Sequence, residues 1–316
     1  MKQTIKHTVL AIGAALILAA CGNNAAKSIG ETTPPVFPRV ETPAMITEPQ
    51  AIADYMTTNY WRQFDFTDTL FLAHPEVLEQ AFVDYVVILP YAGGNLASQS
   101  LSRLMDSARA DTAMYRFFVD KTEHYLWDPN SPYRNDELYL PVLESMLASG
   151  AIDEATRLRS EYRLEWVKKN RPGTPAADFT YTLSSGREGK MSQIKAEYLL
   201  LFFNNPGCTT CADIIAHTQA SPLMNALQQE KRNGAPRLEI LAVYPDEDRT
   251  EWEKYLPQMP QHWMISYDKH QTIRQEKLYD VKAIPTLYLL DKNKKVILKD
   301  ADIRDVETYL QRNALQ

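Results

Sequence analysis

Tyr198-Leu199-Leu200-Leu201-Phe202-Phe203-Asn204-Asn205-Pro206-Gly207-Cys208-Thr209-Thr210-Cys211-Ala212-Asp213-Ile214-Ile215-Ala216 is the stretch on which the fold turns. Six apolar residues in a row, ended by Asn-Asn-Pro-Gly, read as a strand buried on both faces and followed by a turn. Ile214, Ile215 and Ala216 then continue as a helix, so the two cysteines stand at a strand-to-helix junction. A cysteine at a helix N-terminus faces unsatisfied amides and the positive end of the dipole, which stabilises the thiolate and lowers its pKa below the free value of about 8.5. Cys208 is expected to be the exposed nucleophile. Cys211, one turn further in, is expected to attack the mixed disulfide formed at Cys208 and release the client.

Outward from this junction the pattern stays that of an α/β sheet. Phe179, Tyr181 and Leu183 alternate with Thr180, Thr182 and Ser184 and end at Ser185-Gly186, a strand entering a hairpin turn. Further strands are expected over residues 238–244 and 263–267, where Trp263 and Tyr267 fill the core. Ser221-Pro222 opens a helix ending near Gly234. After Pro285 come a strand over 286–290, a turn with a solvated lysine run (Lys292, Lys294, Lys295), a strand over 296–298 and a helix over 302–312. The order β, β, α, β, α, β, α, β, β, α implies a mixed central sheet with helices on both faces. Arg171-Pro172-Gly173-Thr174-Pro175 marks the boundary of this half. Upstream, from Glu48 to Asn170, apolar residues recur at helical spacing: Leu78, Phe82, Val86, Leu89; Leu101, Leu104, Ala108; Met114, Phe117, Phe118, Tyr125; Ala155, Leu158, Tyr162, Trp166. Five or six helices are expected, with breaks at Gly93-Gly94, at Asp128-Pro129-Asn130-Ser131-Pro132 and at Gly150, a C-terminal cap. The cluster Tyr55, Tyr60, Trp61, Phe64, Phe66 reads as helix-packing core rather than a ligand groove.

Three features make residues 172–316 resemble a thioredoxin-like domain of the periplasmic ResA/TlpA type, within the AhpC/TSA-like superfamily. They are the opening Gly173-Thr174-Pro175-Ala176-Ala177-Asp178-Phe179, the cysteine pair after the first central strand, and Ala283-Ile284-Pro285-Thr286-Leu287-Tyr288-Leu289-Leu290-Asp291. The resemblance implies a cis Ile284–Pro285 bond and places the Ile284 backbone beside Cys208, as an edge to which a client peptide pairs. The whole chain resembles thioredoxin-like lipoproteins of Bacteroidetes whose helical domain has no assigned function. It also departs from the pattern. Gly207 replaces the Trp that precedes the first cysteine in thioredoxins, and Thr209-Thr210 replaces Gly-Pro. Phe202 and Ile214 stand where thioredoxins and the ResA type carry an acid for proton transfer. Asp213, adjacent but about 100° away in helical phase, is the remaining candidate for that role.

Lys2 and Lys6 precede the apolar run Val9 to Ala20, which is too short to span a bilayer and has the form of a signal peptide. Leu18-Ala19-Ala20-Cys21 resembles a bacterial lipobox, so residues 1–20 are expected to be removed, Cys21 to be acylated, and 21–45 to be a flexible, proline-rich tether. The helical domain then spans 46–170 and the thioredoxin-like domain 171–316. Of three cysteines, two remain as a lone C-x-x-C in an oxidising setting. The net charge of −6 deepens to −8 once Lys2 and Lys6 are lost, which excludes a basic field for nucleic acid or for an anionic membrane surface. Eleven Gly against 19 Pro argue against a glycine-rich nucleotide-binding architecture.

No cofactor is expected, and no metal, since a structural zinc needs four ligands and the histidines show no paired spacing; His217 reads as a surface or packing residue. A peroxidase is disfavoured by Asn205, which occupies the place of the peroxidase Thr. These readings converge on a periplasm-facing lipoprotein of the bacterial cell envelope, in the outer membrane rather than the inner because Gly22 is not Asp. It would exchange dithiol and disulfide with protein or small-thiol clients, with a membrane redox donor among its expected partners. The alternative is a redox-inactive thioredoxin-fold scaffold or adaptor acting through its helical domain.

Overall fold

A computed structural model describes residues 33–232 and 234–314 of the chain. The expected signal peptide (1–20), the expected acylation site Cys21 and the expected tether up to residue 32 lie outside the described residues. Further along that stretch Phe37 is half-buried, its ring 5.6 Å from Tyr60, 5.3 Å from Trp61 and 5.6 Å from Phe64.

Residues 48–170 form seven α-helices: α1 (Pro49–Asn59), α2 (Leu70–Ala73), α3 (Pro75–Ile88), α4 (Leu96–Ala108), α5 (Thr112–Leu126), α6 (Asp136–Ser149) and α7 (Glu154–Val167). The cause of most boundaries is visible in the sequence. Asp111, Asn135 and Asp153 each accept from a backbone N–H of the first turn of α5, α6 and α7. Gly150 ends α6 at φ 62, a left-handed conformation that glycine enters at little cost. The apolar stripes meet in one core, with Leu78, Phe82, Leu101, Leu104, Phe118 and Leu143 fully buried. Tyr60, Trp61, Phe64 and Phe66 belong to that core and Tyr55 is half-buried. Five or six helices were expected, and seven are present. α6 escapes periodicity because its residues 138–143 are all buried, so an unbroken apolar run crosses its polar side.

The second half is a seven-stranded sheet in the order β2-β1-β7-β6-β3-β8-β9: β1 (Thr180–Leu183), β2 (Glu188–Lys190), β3 (Tyr198–Phe203), β6 (Leu238–Tyr244), β7 (Met264–Tyr267), β8 (Thr286–Asp291) and β9 (Val296–Lys299). A separate two-residue hairpin joins β4 (Lys231–Arg232) to β5 (Ala235–Pro236). Helices α8 (Thr209–Ala220), α9 (Pro222–Gln229), α10 (Arg249–Tyr255), α11 (Thr272–Gln275) and α12 (Ile303–Asn313) complete it. β3 is central, parallel to β6 and antiparallel to β8. Its alternate residues part the core: Leu200 and Phe202 pack towards α8, α9 and α12, while Leu199, Leu201 and Phe203 pack towards Tyr279, Tyr288 and Phe179. Burial on both sides explains the uninterrupted apolar run.

Two expectations need correction here, and one element was not anticipated: the hairpin partner β2 (Glu-Gly-Lys), which has no apolar signal. The helix from Ser221 stops at Gln229, ahead of the β4–β5 turn, rather than near Gly234. Lys294, read as part of a solvated turn, is only 8% exposed, at φ 64, with its ammonium pointing to the Lys292 carbonyl. Its burial lowers its pKa, partly offset by Asp291.

Candidate functional site

β3 delivers the chain to Gly207, whose φ of 74 turns it into α8. Cys208 is the N-cap of that helix, and its Sγ accepts from the Cys211 N–H at 3.1 Å, the hydrogen bond that a serine or aspartate oxygen makes at other helices. The two cysteines are joined as a disulfide with Cα atoms 5.2 Å apart. Cys208 is half-exposed, whereas Cys211 is fully buried in the core that contains Phe202 and Ile214. An incoming thiol therefore meets Cys208 first.

The Ile284–Pro285 bond is cis. It brings the Ile284 carbonyl oxygen to 3.9 Å from Cys208 Sγ. Phe202 and Ile214 are buried apolar residues. Asp213 is exposed on the outer face of α8, whereas Cys211, two positions earlier, faces the core; residues two apart in a helix do not face each other. His217 Nε2 donates at 2.8 Å to the Glu307 carboxylate on α12, which also accepts from the Ser221 hydroxyl. These two bonds hold the Glu307 carboxyl below its usual range. Among the described residues no group of three or more His, Cys, Asp or Glu is placed to hold a metal.

The sequence reading missed a buried set of charges joining the cis-proline loop to the helical half. Arg134, in the α5–α6 connection, donates to Asp300 at 3.0 Å and to Asp280 at 3.5 Å, and the three side chains are only 10%, 11% and 7% exposed. Lys282 pairs with Asp280 at 2.7 Å and lies 3.1 Å above the Trp127 ring. Lys299 Nζ stands 2.7 Å from Asp136, whose carboxylate takes no well-directed hydrogen bond. The same ammonium donates to the Lys169 carbonyl at 2.7 Å. Burial pushes the Asp300 carboxyl up to about 6, with Arg134 and Lys299 pulling it down and Asp136 and Asp280 pushing it up. Burial lowers the Lys282 pKa against the pull of Asp280. Asn170 adds a bond to the Leu278 carbonyl at 2.8 Å, and Lys169 donates to the carbonyl of Lys277. The segment 277–285 is thus held from the helical side along most of its length. The signal available in sequence was weak, because each charge alone reads as a solvated residue.

A disulfide at the end of the central strand, its outer sulfur beside a cis-proline loop, defines a thioredoxin-type site. Residues 196–296 match the family described as thioredoxin-like, and residues 20–170 match a domain of unknown function, DUF5106. The chain resembles a crystallised thioredoxin-like protein from Bacteroides caccae at 42% identity and a TM-score of 0.82, over 89% of this chain and 100% of that one. It also resembles the thiol-disulfide oxidoreductase ResA of Geobacillus kaustophilus, 29% identical over 143 residues, which are 44% of this chain and 76% of that protein. The ResA of Bacillus cereus is 26% identical over 148 residues, 46% of this chain and 80% of the relative. The chain belongs to the thioredoxin-like family, among thiol-disulfide oxidoreductase-like proteins.

Proposed function

We propose that the protein is a cell-envelope thiol-disulfide oxidoreductase, lipid-anchored through Cys21, in which Cys208 exchanges with client sulfur and Cys211 resolves. The observation that carries this reading is the asymmetry of the pair: Cys208 capping α8 at the surface, 3.9 Å from the Ile284 carbonyl, and Cys211 fully buried behind it. In the reducing direction the Cys208 thiolate attacks a client disulfide and expels one client thiolate, leaving a mixed disulfide at Cys208. Cys211 thiolate then attacks Cys208 Sγ, the internal disulfide closes, and the second client thiolate leaves. Two electrons pass to the client, whose thiolates take protons from solvent. The oxidising direction is the same sequence reversed, starting from the closed pair. Ile284 and Pro285 form the edge against which the client backbone lies. The protein clients, a membrane redox donor and the outer-membrane position are part of the same reading.

Cys211→Ser tests it, because it removes the resolving thiol and leaves the attacking one. The variant is expected to accumulate mixed disulfides through Cys208 in cells under mild oxidation, visible as thiol-sensitive adducts, while Cys208→Ser accumulates none. Equal absence of adducts from both variants, with a pair that fails to equilibrate against glutathione, would replace this reading by a second one. That second reading, a redox-inactive scaffold, is favoured by the apolar Phe202 and Ile214 in place of proton-transfer acids.

A further inference from the structure

A groove of about 610 Å3 runs beside the cysteine pair, and its walls come from both halves of the chain. Its floor is Ile284 and Pro285, one wall is the outer edge of α8 at Asp213, and the start of α12 closes it at Asp302 and Asp305. The loop Pro129–Pro132 of the helical half also lines it. We propose that this loop is the second wall of the client groove, and that the groove selects an extended polypeptide whose cysteine is flanked by lysine or arginine. The proposal rests on the oxidoreductase reading for its chemistry, not for the groove itself.

Three observations carry it. First, the wall is stiff: two prolines fix their own φ, Ser131 donates to the Tyr125 carbonyl at 2.6 Å, and Asn130 bonds Asp128 through backbone and side chain at 2.8 and 3.2 Å. Second, the wall is registered to the cis-proline loop. Trp127, just before it, lies under Lys282, and Arg134, just after it, is bound to Asp280 and Asp300. The distance from the loop to Pro285 is therefore set by buried contacts. Third, the exposed charges lining the groove are Asp213, Asp302 and Asp305 against Arg304, an excess of two negatives. The buried charges pair among themselves, and His217 brings with it the Glu307 carboxylate. Such a rim attracts cationic flanks and repels carboxylate-bearing small thiols such as glutathione. An extended occupant follows from the backbone edge at Ile284.

The test uses the full mature chain and two disulfide-containing peptides of equal length, the cysteines flanked in one by Lys and in the other by Glu. The readout is the ratio of their kcat/KM values. At low salt the Lys-flanked peptide is expected to be favoured by about fivefold, the scale of a few screened charge contacts, with the ratio shrinking as salt rises. Asn130→Lys, on the helical wall, and Asp305→Lys, on α12, are each expected to lower that ratio about two- to threefold. A ratio near one in the wild type overturns the proposal. So does a ratio that responds to Asp305→Lys and ignores Asn130→Lys, since the loop is then no wall. If the wild type exchanges with neither peptide nor with glutathione disulfide, it is the oxidoreductase reading that has failed. Calorimetric binding of the same peptides with serine for cysteine then reads the groove alone: a retained Lys preference that Asn130→Lys reduces supports it, and equal binding overturns it.

Discussion

Gly207 has φ 74, and a Cβ built on it would meet nothing within 4 Å. The obstacle to any other residue there is thus the backbone conformation and not space. A left-handed residue with a bulky side chain costs roughly 1–2 kcal/mol. Gly207→Trp, which restores the residue found before the first cysteine in thioredoxins, is accordingly expected to lower stability by about that amount in urea titrations. An unchanged or raised midpoint would show that the turn relaxes to negative φ without loss. The cysteine pair, Pro285 and the helix after Cys211 were all legible, because each carries a residue type whose physical behaviour is unusual. Asp213 was nominated by proximity along the chain, and what sequence adjacency hides is the side of the helix: it faces solvent and Cys211 faces the core.

Among elements, the contact between β9 and the ends of α6 and α7 carries the most. Lys299, 4% exposed, sits between the Asp136 carboxylate at the start of α6 and the last carbonyls of α7. A cation at a helix C-terminus and an anion at a helix N-terminus are each placed where the helix dipoles favour them. Lys299→Met keeps the aliphatic stem and removes the charge, leaving Asp136 buried without its partner. Breaking a buried pair in this way costs about 3 kcal/mol or more. The expected outcome is a drop of that size in unfolding free energy, and a loss under about 1 kcal/mol would mean that water or a shifted neighbour takes the place of the ammonium. Elements were legible in proportion to their contrast. β3 has a six-residue apolar run bounded by turn residues, whereas β2, with Glu, Gly and Lys, has none, and the buried run 138–143 masks the period of α6.

At the scale of the molecule the charged seam between the halves makes stability depend on pH in a direction opposite to most carboxylates. Asp300 is raised to about 6 in the folded chain, against about 3.9 for an unfolded aspartate. The folded state holds that proton more tightly. Its contribution is therefore fully present below about pH 4 and is lost as pH rises through about 6. Asp300→Asn keeps the shape and tolerates the left-handed backbone, φ 50, that this position adopts. The stability of the wild type minus that of Asp300→Asn is expected to fall by on the order of 2 kcal/mol between pH 4 and pH 7, read from denaturation midpoints at each pH. A flat difference would mean that Asp300 ionises in the fold as it does in the open chain. None of this seam was legible. Arg134, Asp136, Asp280, Lys282, Lys299 and Asp300 come from three distant stretches, and only the folded chain brings them together.

The same seam bears on transplantation. Residues 171–316 look portable, since the thioredoxin-like match falls within them at 196–296, and a protein engineer would cut at Arg171-Pro172 to graft the redox half onto another carrier. That cut leaves Lys299, Asp280 and Asp300 without Asp136 and Arg134, and frees the cis-proline segment from Lys169, Asn170 and Trp127. A graft that is to keep its active-site loop in shape needs replacement partners for those three charges, or apolar residues in their stead. The joint at which the sequence invites division is one that buried charge pairs cross in the folded protein.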